Sequence, residues 1–125
     1  MKLTIYGDPR TKKNSSRIMY DARTGRRFVS ASAAYKEYED DCAAQIVRNT
    51  PEGEPPYNVK CVYYMRTRRK VDLVNLLEAT CDILVRAGVL PDDDSTVIAS
   101  HDGSRVRYDR DEPRVEIDIA ACGGE

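Results

Sequence analysis

The segment over residues 72–87 constrains the fold of this chain more than any other. Its apolar residues recur every three to four positions, so at about 100° per residue they gather on one side of a helix. The members of that side are Leu73, Leu76, Leu77, Thr80, Ile83, Leu84 and Ala87. Gly88 follows in the C′ position, where a helix commonly ends in a left-handed residue. The pattern predicts an amphipathic helix with one face buried in a core.

Shorter stretches of alternating apolar and polar residues predict strands. These stretches cover residues 2–6, 58–65, 97–100, 105–108 and 114–120. Residues 17–20 and 27–29 flank a turn that contains Gly25, which predicts a hairpin. Residues 101–103 predict a bend or a further hairpin between the strands on either side of them.

A first helix is predicted from a cap at Ser30 or Ser32 to about residue 48. The elements then follow the order β, hairpin, α, β, α, β, β. This order predicts an α/β (α+β) fold, with a single mixed β-sheet and two main helices packed on one face. With 125 residues, of which 41% are apolar, the chain is expected to form one domain over residues 1–125.

The sequence argues against a membrane protein. Residues 1–6 lack the apolar core of a signal peptide, and no apolar run approaches the roughly 20 residues that cross a bilayer. We therefore expect no membrane partner and a cytoplasmic location. Cys42, Cys61, Cys81 and Cys122 are scattered, and His101 is not near any of them in the sequence. This spacing predicts reduced thiols, some of them buried, and no zinc site.

The formal net charge of −1 conceals unequal blocks. Residues 1–30 hold eight basic and two acidic residues, and residues 59–70 hold five basic residues and no acidic one. Residues 31–58 and 71–125 are acidic in balance. Separate basic and acidic surfaces are therefore expected, and a basic surface is compatible with a nucleic-acid partner.

Carboxylates gather on the polar side of the predicted 72–87 helix. Asp72, Asn75, Glu78 and Asp82 share that side, and Arg86 is placed to offset the charge of Asp82. Asp72 also stands at the helix start, where it would serve equally well as a purely structural N-cap.

A second acidic group, Asp92, Asp93 and Asp94, begins four residues after Gly88. These three residues either form a solvated loop that caps the next turn or contribute to a site for a hard cation such as Mg²⁺. If the helix start and this loop converge, they form such a site.

Basic residues precede these carboxylates. They are Lys12, Lys13, Asn14 and Arg17 at a polar loop, Arg23, Arg26 and Arg27 at the hairpin, and Arg66, Arg68, Arg69 and Lys70 directly before Asp72. A solvated surface would explain each group alone. Four bases that run into a candidate metal site favour a phosphodiester substrate, because cations hold its charge while a metal activates water.

The chain resembles the RusA-type family of Holliday junction resolvases over nearly its whole length. Residues 7–15 (GDPRTKKNS) are similar to its G-x-P-x-x-K-N segment, and residues 66–76 (RTRRKVDLVNL) to its basic run followed by D-x-D-N-L. Residues 88–93 (GVLPDD) match its G-x-x-x-D-D, and Asp82 and residues 113–117 (PRVEI) match its later positions.

The resemblance implies a dimeric, metal-dependent endodeoxyribonuclease, bacterial or phage-encoded, that resolves branched DNA such as four-way junctions and leaves 5′-phosphate and 3′-hydroxyl ends. It places Asp72, Asp92 and Asp93 at Mg²⁺, for which Mn²⁺ may substitute, and assigns catalysis to Asp72 and Asp93. The basic residues at 12, 13, 17, 66 and 68–70, together with Asn14 and Asn75, would contact DNA. A homodimer matches the two strands that a junction presents for cleavage.

Two positions depart from the family pattern. Val74 stands where the motif has its second Asp, giving D-x-V-N, and Glu78 replaces a functional Lys. Either Glu78 supplies the missing carboxylate as a catalytic residue, or the chain is a catalytically silent junction- or DNA-binding protein. We expect the first, because Glu78 faces the Asp72 side of the helix whereas Val74 points away. A purely structural protein, the third class, would have no DNA affinity.

Overall fold

The computed structural model describes residues 1–12, 16–20, 23–25, 27–31 and 33–123, with the backbone alone over 16–20 and 27–31. Its elements, in chain order, are β1 (Lys2–Tyr6), β2 (Ser16–Tyr20), β3 (Arg27–Ala31), α1 (Ala33–Gln45), β4 (Tyr57–Met65), α2 (Leu73–Arg86), β5 (Ile98–Ser100), β6 (Arg105–Tyr108) and β7 (Arg114–Ala121). The order broadly matches the one expected from the sequence.

The main sheet is mixed. β7 lies at its centre and pairs antiparallel with both β1 and β4. The far edge of β4 is covered by β5 at one end and by β6 at the other, both parallel to it. β5 and β6 do not pair with each other, so residues 101–104 form a bend between two successive edge strands. Of the two alternatives expected there, the bend is correct and the hairpin is not. β2 and β3 pair as the predicted hairpin in a sheet of their own.

One face of the main sheet packs against α1 and α2. Alternate residues of β4 point into this layer, among them Val59 and Tyr63, which are fully buried. The hydroxyl groups of Tyr63 and Thr80 lie 2.7 Å apart, and the Thr80 hydroxyl also donates to the carbonyl of Leu76 at 3.0 Å. The two buried hydroxyls are thus satisfied within the core and tie α2 to β4. The predicted single mixed sheet with two helices on one face is confirmed.

The helix predicted from residue 72 forms as expected. α2 begins after the N-cap Asp72 and ends at the C-cap Ala87, and Gly88 has a φ of +78°. This left-handed conformation favours glycine, whereas the atoms nearest an added Cβ belong to the exposed, flexible side chain of Arg48, which can move.

The first helix is shorter than expected, because α1 ends at Gln45 rather than near residue 48. The amide group of Gln45 accepts from the N–H of Tyr6 and donates to its carbonyl, each at 2.8 Å. Gln45 therefore pairs with the outer edge of β1 as a strand residue would. The periodicity of α1 contains no sign of this long-range contact.

Two further expectations can be compared with the structure. None of its described helices combines the length and the apolar character needed to span a bilayer. Cys42, Cys61 and Cys81 are buried, and all four cysteines are free thiols. The prediction of buried, reduced thiols is confirmed in that respect.

Candidate functional site

The loop after β1 is docked onto the basic connector after β4. The carboxylate of Asp8 accepts from the backbone N–H of Arg66 at 2.9 Å and from the Arg69 guanidinium at 2.9 Å. The other terminal nitrogen of Arg69 donates to the carbonyl of Pro9 at 2.9 Å. The two segments that carry the basic motifs, about 60 residues apart in the chain, are therefore held side by side.

Lys12 extends this contact to α2. Its ammonium lies 3.2 Å from a carboxylate oxygen of Asp82 and 6.0 Å from the centre of the Tyr35 ring. The pair is well exposed, so it contributes about 1 kcal/mol at most. Its value here is geometric, since it places the polar side of α2 beside the docked loop.

The connector itself presents its cations to solvent. Arg66, Arg68, Arg69 and Lys70 are all exposed. The guanidinium of Arg68 stacks over the ring of Tyr108 at 4.5 Å from its centre, and the N–H of Asp109 donates to the carbonyl of Met65 at 2.9 Å. The end of β6 thus supports one side of the connector while Asp8 supports the other.

Asp72 has a structural role whatever else it does. One of its carboxylate oxygens, Oδ1, accepts from the N–H of Val74 at 2.9 Å and caps α2. This is the N-cap considered from the sequence. A carboxylate has a second oxygen, and Asp72 is exposed, so capping leaves it able to bind a cation.

The three aspartates after Gly88 divide into two kinds. Asp94 accepts from both the N–H and the hydroxyl of Thr96, and these bonds, the hydroxyl's first, lower the pKa of its carboxyl. Asp94 therefore caps the turn that leads into β5, which is the structural alternative considered for this loop. Asp92 accepts from the N–H of Asp93 at 2.7 Å, and both residues are exposed.

Burial and nearby carboxylates act on Cys81 of α2. Burial, followed by the charges of Asp93 and then Asp82, raises the pKa of Cys81 to about 12. At about 100° per residue, Glu78 stands between Val74, about 40° away, and the Asp72 side of α2. Glu78 is exposed, and the side chain of Val74, four residues before it, is 69% exposed.

The carboxylates do not form a closed metal cage. Within the described ranges, no three His, Cys, Asp or Glu side chains are grouped closely enough to hold a metal ion. Asp72, Asp92 and Asp93 are therefore not gathered into one three-ligand cluster. Mg²⁺ commonly takes only one or two carboxylates and completes its shell with waters and substrate phosphates. Exposed neighbouring carboxylates such as Asp92 and Asp93 suit that mode of binding.

The structure does not describe every residue that the sequence predicts for the DNA-binding surface. Lys13, Asn14 and Arg26 lie outside the described residues, as does the side chain of Arg17. Asn75 is half-buried on α2.

Arg86 was expected to offset Asp82, and that expectation is wrong. Its guanidinium pairs instead with Glu39 at 2.9 Å and Asp40 at 2.8 Å on α1. These acids are far from α2 in the chain, so helix periodicity alone does not reveal the pairing.

His101 makes a contact that the sequence does not predict. Its Nδ1 lies 2.8 Å from the carbonyl of Val59, and its Nε2 lies 4.0 Å from the sulfur of Cys81. A single histidine twenty residues from the nearest cysteine carries no sequence signal for this contact. It joins the bend at 101–104 to α2 and β4.

The protein is a mixed sheet backed by two helices, and its basic connector leads to exposed aspartates. This combination of cations and carboxylates is typical of proteins that act on phosphodiesters. The family model of the endodeoxyribonuclease RusA matches residues 7–120, and the chain belongs to that family. The family comprises endodeoxyribonucleases that act on Holliday junctions, and they generally depend on a divalent metal. No curated protein sequence matches the chain.

Proposed function

We propose that this protein is a Mg²⁺-dependent, structure-selective endonuclease that resolves Holliday junctions and related branched DNA in recombination and repair. One observation carries the proposal. Asp8 accepts from the backbone N–H of Arg66 and forms a salt bridge with Arg69, and these contacts hold two basic segments together at the start of the helix that Asp72 caps. Such a surface attracts a DNA backbone to a point where carboxylates are available for a metal.

The basic residues divide into those that shape the surface and those that contact phosphates. Arg69 is committed to Asp8 and Pro9, so it positions the connector. Arg66 offers its exposed side chain, since only its backbone N–H is used by Asp8. We assign phosphate contact to Arg66, Arg68 and Lys70, joined by Lys12, Lys13, Asn14, Arg17 and Asn75.

The acidic residues hold the cation and the attacking water. The assigned residues are Asp72, Asp92 and Asp93, of which no more than two would coordinate one ion directly, with Mn²⁺ able to replace Mg²⁺. A bound metal would lower the pKa of a water and stabilise the leaving oxygen. Asp93, exposed and free of the capping role that occupies Asp94, positions the water for attack on phosphorus. Glu78, exposed on the polar side of α2, supplies the carboxylate that Val74 lacks.

Cleavage of a synthetic four-way junction by matched variants tests these roles. Asp93→Asn is expected to lower the cleavage rate by at least about 100-fold, the scale on which removal of a catalytic group acts. Asp94→Asn retains a cap acceptor and is the matched control, with a rate near that of the wild type. Glu78→Ala is expected to lower the rate, and full activity in this variant would remove Glu78 from the site. Equal rates for Asp93→Asn and Asp94→Asn would contradict the assignment of Asp93.

A further inference from the structure

The end of β6 carries an exposed aromatic ring beside the basic connector. Tyr108 is 40% exposed even though the Arg68 guanidinium lies 4.5 Å from the centre of its ring. Val106, two residues earlier and therefore on the same face of the strand, is also 40% exposed. Among the described strands only β4 pairs with β6, which places Tyr108 at an edge of the sheet.

Tyr108 points to the side of the sheet on which α2 lies. It is the register partner of Met65, and register partners on parallel strands project to the same face. Met65 is buried in the layer beneath the helices, so Tyr108 stands at an edge that this layer covers only in part. Arg68 precedes Asp72 by four residues, which span about 14 Å at most. A DNA backbone that follows the connector to Asp72 therefore passes the Arg68–Tyr108 stack.

A second arginine–tyrosine stack in the fold is closed by its neighbours. The guanidinium of Arg114 lies 3.9 Å from the centre of the Tyr64 ring, and two carboxylates hold it at 2.9 and 3.1 Å. Arg68, by contrast, is exposed and forms no ion pair with any residue that the structure describes. The Arg68–Tyr108 stack therefore has both a charge and part of a ring available to a partner.

The backbone that carries Tyr108 is fixed before any partner binds. The next residue, Asp109, donates its N–H to the carbonyl of Met65 at 2.9 Å. The Asp109 carboxylate also pairs with Arg114 at 2.9 Å. A ring held in place in this way loses little conformational freedom when a flat partner stacks on it, and this favours binding.

We propose that Tyr108 binds DNA by stacking on a base that is exposed at the branch point of a junction. Arg68 stays on the other face of the ring and donates to a neighbouring phosphate, since a guanidinium can stack through its face while it donates from its edge. In a continuous duplex the bases stack on one another and offer no free face to the ring. Where the arms of a junction separate, the last bases of an arm have an open face.

The charges around the ring favour a nucleic acid over a protein partner. Arg105 and Arg107 on β6 and Arg110 after it are all exposed. Asp109, the one acidic residue between positions 104 and 110, is already paired with Arg114. Aromatic rings set among cations are the combination that binds unpaired or unstacked nucleotides. A protein that covered this ring would also have to bury the surrounding arginines.

This inference rests on the proposed function and explains how the protein would distinguish a junction from a duplex. Phosphate contacts supply affinity for both, because the two substrates have the same charged backbone. They therefore give little selectivity by themselves. A base that stacks on Tyr108 is available only in the branched substrate, so the ring adds affinity for the junction alone.

The test is the affinity of the full chain for a four-way junction and for a linear duplex of the same sequence, measured in EDTA so that neither is cut. Tyr108→Ala is expected to weaken junction binding about 10-fold and duplex binding less than about 2-fold, as loss of a base–aromatic stack would. Tyr108→Phe keeps the ring and is expected to bind both substrates as the wild type does. Tyr6→Ala removes a 51% exposed tyrosine at the opposite edge of the sheet and is the matched control, with no change in either affinity.

A junction with abasic sites at its branch point identifies the stacking partner. The wild type is expected to bind this junction more weakly, and Tyr108→Ala should cost almost nothing further, because the ring and the missing base form one contact. The dependence of affinity on salt separates stacking from charge. Its logarithmic slope should be unchanged in Tyr108→Ala and should fall by about one in Arg68→Ala.

Three results would overturn the inference: unchanged junction affinity in Tyr108→Ala, a loss on the duplex as large as on the junction, or losses that add on the abasic junction. Should Tyr108→Ala misfold, Tyr108→Leu keeps an apolar side chain without a ring and is expected to show the same selective loss. Junction cleavage by the wild type, with full junction preference in Tyr108→Ala, would refute this inference alone. A wild type that prefers junctions through Tyr108 but does not cleave them would refute the nuclease proposal alone.

Discussion

Removal of the Asp8 carboxylate tests whether the basic surface is built by docking of the first loop. The side chain of Asp8 is 18% exposed and accepts two hydrogen bonds of 2.9 Å, one from a backbone N–H and one from a guanidinium. The bond from the backbone to a charged acceptor contributes about 1.5 kcal/mol. The Arg69 pair is 40% exposed on the arginine side, so solvent screening reduces its contribution to about 0.5 kcal/mol.

Asp8→Ala is therefore expected to lower the free energy of unfolding by about 2 kcal/mol. For a domain of this size the midpoint of thermal unfolding, followed by circular dichroism, would fall by about 8 °C. Asp8→Asn retains a neutral acceptor for the Arg66 N–H and is expected to lose about half as much. Junction affinity should fall together with stability, because Lys12 and the connector lose their common support.

A double-mutant cycle isolates the ion pair. Combining Asp8→Ala with Arg69→Ala is expected to show a coupling energy of about 0.5 kcal/mol, and the exposed Asp111→Ala is the control, with a change within about 0.5 kcal/mol of zero. A loss for Asp8→Ala no larger than that of Asp111→Ala would refute the docking argument. So would unchanged junction affinity in a destabilised Asp8→Ala protein.

Three further predictions concern single positions. Asp72→Asn keeps a capping oxygen and should retain stability while losing junction cleavage, whereas Asp72→Ala should lose about 1 kcal/mol of stability as well, both measured on the same preparations. Gly88→Ala should lower the free energy of unfolding by about 1 kcal/mol in denaturant titrations, because the φ of +78° opposes a Cβ. The pKa of Asp94 is lowered by bonds from Thr96, so its stabilising contribution is complete above the unfolded pKa of about 4 and is lost as pH falls through the lower folded value. Acid titration of Thr96→Val should show less loss of stability over that range than the wild type.

Local patterns predicted those parts of the fold that local physics decides. The helix after Asp72 has a wide apolar face, a capping carboxylate and a terminal Gly88, and all three signals agree. Apolar and polar residues alternate along strands β1 and β7, because one face of the sheet is buried and the other is open. The early end of α1 could not be predicted in this way, since it depends on Gln45 reaching the backbone of Tyr6 on a strand that precedes it by about 40 residues.

The candidate site shows the same division. Its segments were found from charge and motif spacing, but the partners of individual side chains were not. In the sequence, Asp8 belongs to a predicted loop, and nothing there indicates its salt bridge with Arg69. Arg86 pairs with acids of α1, which the helical periodicity of α2 does not predict. Among three adjacent aspartates, only the turn before β5 distinguishes Asp94, which caps it, from Asp92 and Asp93. Contacts of this kind depend on tertiary packing, which a single sequence does not display.

The central claim is that this chain cleaves branched DNA with the help of a divalent cation. The most direct measurement is cleavage of a labelled four-way junction, and of a linear duplex of the same sequence, by the wild-type protein in a titration of Mg²⁺ and again in EDTA. We predict paired cuts in the junction that rise with Mg²⁺ and vanish in EDTA, with little cleavage of the duplex. Salt-sensitive binding of the junction without cleavage at any concentration of Mg²⁺ or Mn²⁺ would contradict the claim.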